Sequence, residues 1–319
     1  MRAWYLVPGV AGLAAELREV PAPEAGPGQL LVRLHAAGLN RGELTGPKGP
    51  AKPGGMEGAG EVAKLGAGVT QFKVGDRVMG RCPGAFAEYG LLDARETLPV
   101  PQRLSWEEAA AVPIAFLVVY DMLLAQGRLK AGEWLLVTGV TSGVGVYALQ
   151  AAKALGAKVI GTSGSADKLA ALKPLGLDVA LATRAADFSD AVLKATGGKG
   201  ADLCVNTVGG TVFAECVRAL GFEGRLAIVG YVDGSLRSEM DLDALHSKRL
   251  TIFGVSNKLR NAEQRGTTVR GFAASLLPLL ADGRIRPLID RVYSFEELPV
   301  AKARMEANAH VGKIVLRMP

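Results

Sequence analysis

The chain has 319 residues and a mass of 33.2 kDa, with 49% hydrophobic and 21% charged side chains. A single core rarely grows past roughly 250–300 residues, so the length predicts two domains, and the apolar share excludes a disordered chain. The formal charge is +6, but Lys and Arg are dispersed among 31 acids without a long basic run, which argues against nucleic acid as the partner. Cys82, Cys204 and Cys216 build no disulfide framework and share no C-x-x-C spacing, so a reducing, cytoplasmic setting without a Cys-rich zinc site is expected. The opening residues carry no signal-peptide pattern, and the apolar run 109–125 is interrupted by Pro113 and Asp121, short of a membrane span.

The first hundred residues predict short strands between turns. Leu30-Leu31-Val32-Arg33-Leu34 follows Pro27-Gly28, and Gly60-Glu61-Val62 and Gly75-Asp76-Arg77-Val78-Met79 give further strand pieces. Residues 45–60 are mostly Gly, Pro, Lys and small side chains, and are expected to form a ligand-facing or mobile loop. From about residue 115 the pattern changes to strands alternating with helices. Trp134-Leu135-Leu136-Val137 suits a strand buried on both faces, followed by a glycine turn and a helix over 147–155. Strands at 157–160, 178–181, 202–205, 225–229 and 250–253 alternate with helices at 167–175, 187–195 and 213–220. That alternation predicts a doubly wound parallel sheet. The tail predicts helices over 269–280 and 298–307 and a last strand over 313–316. The fold class is therefore α/β, with a Rossmann unit at 116–256 inserted into a first domain made of 1–115 and 257–319.

A strand that ends in a glycine-rich turn and opens a helix aims free N–H groups and a helix dipole at an anion. Here the turn is Thr138-Gly139-Val140-Thr141-Ser142-Gly143-Val144-Gly145. It misses a strict G-x-G-x-x-G, because Val140 and Ser142 stand at two of the glycine positions, so the strand and helix around it carry the dinucleotide reading. An acid at the end of the next strand would select NAD by binding the ribose 2′-hydroxyl. This chain has Gly161-Thr162-Ser163-Gly164-Ser165-Ala166-Asp167-Lys168 there, with Arg184 after the third strand. Ser163, Lys168 and Arg184 suit the extra phosphate of NADPH; the plainer alternatives are a solvated helix lysine and a surface arginine. Two charge-assisted contacts of ~1.5–3 kcal/mol each would favour NADPH roughly 10²- to 10⁴-fold.

At this point the chain resembles the medium-chain dehydrogenase/reductase superfamily, in its zinc-free quinone oxidoreductase (zeta-crystallin-like) branch. The resemblance runs over nearly the whole length. It rests on Ala36-Ala37-Gly38-Leu39-Asn40, Gly55-Met56-Glu57-Gly58-Ala59-Gly60-Glu61-Val62, Val74-Gly75-Asp76-Arg77-Val78 and Gly84-Ala85-Phe86-Ala87-Glu88-Tyr89. Ser142-Gly143-Val144-Gly145, Leu155-Gly156-Ala157 and Gly312-Lys313-Ile314-Val315 complete it. The resemblance implies a GroES-like β-barrel catalytic domain around the Rossmann unit, with hydride transfer from NADPH to a quinone or similar conjugated carbonyl. Zinc members carry a Cys at the Asn40 or Arg41 position and a His just before the Glu57 position; Asn40, Arg41 and Met56 stand there instead, so no metal is expected.

The same resemblance places Asn40 beside the nicotinamide and substrate as the candidate catalytic residue, the bland alternative being a turn cap. It implies cofactor contacts from Thr141, Ser142, Gly143 and Val144, and from Ser163, Lys168 and Arg184. Asn206, Val208, Gly230, Tyr231, Phe253 and Val255 follow, the last two through a segment whose backbone meets the carboxamide. A Tyr found five or six positions past the Asn in quinone reductases is replaced by Thr45 or Gly46, a Thr by Val118, and an adenosine-stacking Tyr by Thr183. The substrate wall is thus smaller and less aromatic, and an enoyl or 2-alkenal reductase fits the same frame. A catalytically idle cofactor- or RNA-binding protein is the third alternative. A homodimer through the apolar edge segment 250–255 is expected.

Overall fold

The computed structural model describes residues 1–9, 12–45 and 52–319. In chain order its strands are β1 (Arg2–Gly9), β2 (Gly12–Glu19), β3 (Gln29–Gly38), β4 (Glu57–Leu65), β5 (Arg77–Arg81), β6 (Tyr89–Asp93) and β7 (Thr97–Pro99). Six more follow: β8 (Trp134–Thr138), β9 (Lys158–Ser163), β10 (Val179–Ala182), β11 (Ala201–Asn206), β12 (Leu220–Ile228) and β13 (Thr251–Gly254). β14 (Ile289–Ser294) and β15 (Lys313–Arg317) close the series. The chain divides into one unit of Met1–Leu117 with Asn261–Pro319 and a second of Val118–Arg260, beside the expected breaks at 115/116 and 256/257.

In the first unit seven strands share a sheet of order β14-β15-β3-β4-β5-β7, with β6 also on β3, and β1 and β2 form a separate hairpin. Alternate residues of β3, Leu30, Val32 and Leu34, point into a core with Phe86, Phe295, Ile314 and Leu316. The period of two along β3 is the physical reason the sequence reveals it. Trp4 is buried there too, its indole N–H satisfied by the Phe295 carbonyl at 2.8 Å. The last strand, β15, thus lies beside β3 and completes the sheet begun some 270 residues earlier.

The expected loop over 45–60 ends sooner than its composition suggests. Residues 46–51, Gly46 among them, lie outside the described residues. Glu57–Leu65 is strand β4, paired antiparallel to both β3 and β5. Its glycines misled the composition argument, since they serve close strand contact: a Cβ on Gly60 would overlap the Arg33 carbonyl. The tail also differs from expectation. A capping box of Asn261 with Gln264 starts helix Ala262–Ser275 earlier than expected, Pro278 lies in the first turn of a separate helix Leu277–Ala281, and β14 was not expected from the sequence.

The second unit has a parallel sheet of order β10-β9-β8-β11-β12-β13, the doubly wound order with its switch point at β8 and β11. Leu135, Leu136 and Val137 of β8 are fully buried, as a strand covered on both faces requires. Helix Gly143–Ala154 follows β8, so the glycine turn supplies the helix's first turn and the helix starts four residues before Tyr147. The Rossmann fold class read from the sequence stands.

Candidate active site

In the second unit, the sequence-predicted residues collect at the carboxyl ends of the parallel strands. Thr138, Asn206, Ile228 and Gly254 lie in register across β8, β11, β12 and β13, so the turns that leave these strands share one edge. Ser142 caps helix Gly143–Ala154: its Oγ accepts from the Gly145 N–H at 3.1 Å, in extended backbone, which is how a serine satisfies an orphan donor. The remaining first-turn N–H groups and the dipole favour an anion there. The Thr141 and Ser163 hydroxyls meet at 3.2 Å, tying the glycine turn to the tip of β9.

β9 ends on Ser163 and is followed by Gly164 and Ser165, with no carboxylate at the strand tip. Ser165 caps the short helix Ala166–Ala170, accepting from the Lys168 N–H at 3.3 Å and so fixing where the lysine stem departs. The Arg184 side chain lies across Gly164, in space that a Cβ at 164 would fill. Arg184 thus lies at the tip of β9, twenty-one positions past Ser163 in sequence, and Lys168 follows in the short helix that leaves it.

Asn206 is wholly buried and shapes the next turn. Its Oδ1 accepts from the Val208 and Gly209 N–H groups at 3.0 Å each, and its Nδ2 donates to the Gly209 carbonyl at 2.9 Å. The Gly230 N–H reaches the Asn206 carbonyl at 3.4 Å, which brings the turns after β11 and β12 together. Asp233 then pins the segment past Gly230, accepting from the Thr211 hydroxyl at 2.6 Å and the Ser235 N–H at 2.9 Å. Tyr231 is half exposed, its hydroxyl 3.5 Å from the Lys258 ammonium, and Val255 is buried with its N–H on the Ile228 carbonyl at 2.9 Å. Phe253 is partly buried at the end of β13. Thr183, at the adenosine-stacking position, spends its hydroxyl on Asp187 at 2.7 Å.

In the first unit, Asn40 sits in a compact polar cluster. Its amide Nδ2 donates to Glu57 Oε1 at 2.8 Å and Glu43 Oε1 at 3.1 Å, and its Oδ1 accepts from the Lys313 ammonium at 2.8 Å. Lys313 also donates to Glu57 Oε1 at 2.6 Å and to the Leu39 carbonyl at 2.7 Å. Glu57 takes a further bond from the Ile114 N–H at 2.7 Å. Glu57 and Lys313 are almost completely buried, so this is an interior ion pair with its remaining valences filled. Glu43 keeps some solvent contact, yet crowding strips water from its carboxyl and pushes its pKa up to about 8; the Asn40 bond and Lys313 pull the other way.

Sequence reasoning singled out Asn40 and missed Glu43, Glu57 and Lys313 as members of one site. Glu57 and Lys313 were present only as letters of family motifs, and 256 residues separate them. Among the described residues no three His, Cys, Asp or Glu side chains group as metal ligands. All three thiols are buried, which pushes Cys82 up to about 12 and raises Cys204 well above the ordinary range, so neither offers a thiolate.

The alcohol dehydrogenase GroES-like domain matches residues 26–102 and the zinc-binding dehydrogenase domain matches residues 143–267. The solved quinone oxidoreductase of Pseudomonas syringae is 30% identical, at a TM-score of 0.85 over 99% of this chain and 100% of that one. The chain belongs to the medium-chain dehydrogenase/reductase family. A second member, a mycobacterial protein complexed with NADPH, is 28% identical at a TM-score of 0.89, over 99% of this chain and 100% of that one. The PikAII component of the pikromycin polyketide synthase of Streptomyces venezuelae is 34% identical over 99% of this chain. The chain spans only 9% of that relative's length. Both domain types of the medium-chain family are thus in place within the matched residues.

Proposed function

We propose that the protein reduces quinones or similar conjugated carbonyls with NADPH and without a metal. The observation that carries the cofactor choice is the strand tip where Ser163, Gly164 and Ser165 stand in place of a carboxylate and Arg184 lies across Gly164. Lys168 and Arg184 hold the 2′-phosphate, and the first turn of helix Gly143–Ala154 with Thr141 and Ser142 holds the pyrophosphate. Asn206 fixes the turn carrying Val208, while Gly230, Tyr231, Phe253 and Val255 line the nicotinamide end. The dihydronicotinamide supplies a hydride when bound.

The polar group for the acceptor's carbonyl oxygen is the Asn40 amide. Lys313 bonds its Oδ1 and draws electron density from it, which makes the Nδ2 hydrogens stronger donors. Glu57 holds one of those hydrogens tightly, and the acceptor oxygen takes the one now on Glu43. Negative charge developing on that oxygen is then met by a polarised amide that needs no reorganisation. Copies of the chain pair through β13, the sheet's edge strand, where Ile252 is exposed.

Steady-state NADPH oxidation with 1,4-quinones and with enones tests the reading. Turnover of quinones, at higher kcat/KM with NADPH than with NADH, is expected. A chain that turns over enones but no quinone overturns the quinone assignment. That second reading, an enoyl or 2-alkenal reductase, is favoured by the 34% identity to a polyketide synthase component.

A further inference from the structure

We propose that Glu43 is the acid that delivers the proton to the reduced acceptor. This rests on the reading above, in which Asn40 meets the acceptor's carbonyl oxygen. Asn40 Nδ2 is shared by two carboxylates, and they are not equivalent. Glu57 is fully buried, bonded at 2.8 Å, and already committed to Lys313 and to the Ile114 N–H. Glu43 is partly exposed and bonded at the longer 3.1 Å, so it is the one that yields to a ligand. An oxygen that takes its hydrogen from Asn40 arrives beside the Glu43 carboxyl, within hydrogen-bond reach of it.

Charge counting around the turn explains why Glu43 holds a proton. Among the described residues the cluster has one cation, Lys313 of β15, and two acids, Glu57 of β4 and Glu43 of the short turn Arg41–Thr45. Lys313 is spent on Glu57 at 2.6 Å, and among the described residues no cation pairs with Glu43. Arg41, the turn's other charge, is committed to the helix Leu298–Glu306, donating to the Met305 carbonyl at 2.7 Å, with Glu306 nearby and Asn308 Oδ1 at 2.6 Å. Burial pushes the Glu43 carboxyl up to about 8, so near neutrality it is predominantly the protonated acid.

The step balances without a further reactant. The acceptor gains a hydride, with its two electrons, from the dihydronicotinamide, which is oxidised. As charge grows on the acceptor oxygen, the Glu43 O–H bond breaks and a new O–H bond forms on the product. The resulting carboxylate regains a proton from water after product leaves, through the side of Glu43 that still meets solvent.

The test combines catalysis with a direct titration. In the wild type, kcat falls above pH 8, because the acid form is required; in Glu43→Gln that fall disappears and kcat drops roughly 10²-fold or more. Glu43→Asp recovers part of the rate, and NADPH affinity by fluorescence stays within about twofold in both variants, which shows intact folding. Infrared titration of the protein without substrate gives a carboxyl band that disappears with a midpoint near 8 and is absent from Glu43→Gln. Unchanged kcat and pH profile in Glu43→Gln overturn the proposal, as does an ordinary carboxylate midpoint. A wild type with the band near 8 that reduces neither quinones nor enones instead sinks the functional reading, and the proton role with it.

Discussion

In the proposed function, Lys168 and Arg184 turn two surface charges into a selector for NADPH. The missing acid at the strand tip points to both as phosphate ligands, but the sequence leaves a solvated helix lysine and a surface arginine as the plainer alternatives. Gly164 supplies what the sequence lacked, because its missing side chain is the space the Arg184 stem crosses. Lys168→Ala is expected to weaken NADPH roughly 10- to 100-fold while leaving NADH within about twofold, the loss of one charge-assisted contact. Fluorescence titration with both nucleotides measures it, and an equal loss for both would place Lys168 away from the phosphate. Asn40 shows the reverse case: its motif points to the residue but not to its partners, on which the proposed chemistry depends. The pKa of Glu43 belongs wholly to the folded state, since nothing in Arg41-Gly42-Glu43 distinguishes it from a solvated acid.

Elements set those residue positions. β15 brings Lys313 alongside β3, and β4 brings Glu57 from the other flank of the same strand, so the ion pair closes across the end of β3. Lys313→Met leaves the Glu57 carboxylate buried without a counterion and is expected to cost about 3–5 kcal/mol of stability. The double variant Glu57→Gln with Lys313→Met removes both charges and is expected to recover part of that loss. Urea unfolding midpoints of the three proteins check both statements; a single variant as stable as the wild type would contradict the burial of the pair. Strands with clear alternation, such as β3, or continuous apolar runs, such as β8, were legible because their period reports burial directly. β4 was legible only in part, at Gly60-Glu61-Val62, because its first glycines serve backbone approach rather than loop freedom. β14 and the β1–β2 hairpin escaped the sequence reading as well.

For the whole molecule, the alternation of strands and helices after residue 115 fixed the α/β class, and the sheet order with its switch point at β8 and β11 agrees. No helix among the described residues is long and apolar enough to cross a membrane. The sheet ends at β13, whose outer edge offers unpaired backbone groups beside the exposed Ile252. Ile252→Lys places a charge on that edge and is expected to shift the protein from two copies to one in sedimentation velocity, with NADPH affinity retained. A wild type that already sediments as a single chain would refute pairing through this edge.

The sequence by itself determined the alternation of strands and helices in the second unit, the glycine turn that opens helix Gly143–Ala154 and the absence of an acid at the tip of β9, and it pointed to Asn40 as a candidate. These depend on local periodicity, turn chemistry and motif spacing, which act between residues close along the chain. Tertiary structure alone decided which charges share a site. Arg184 came to lie over Gly164, Lys313 joined Glu57 and Asn40, and Glu43 was left beside them with no cation paired to it among the described residues. Pairing and desolvation of charges depend on distances in space, and a chain of letters carries no record of water excluded from a carboxyl by residues hundreds of positions away.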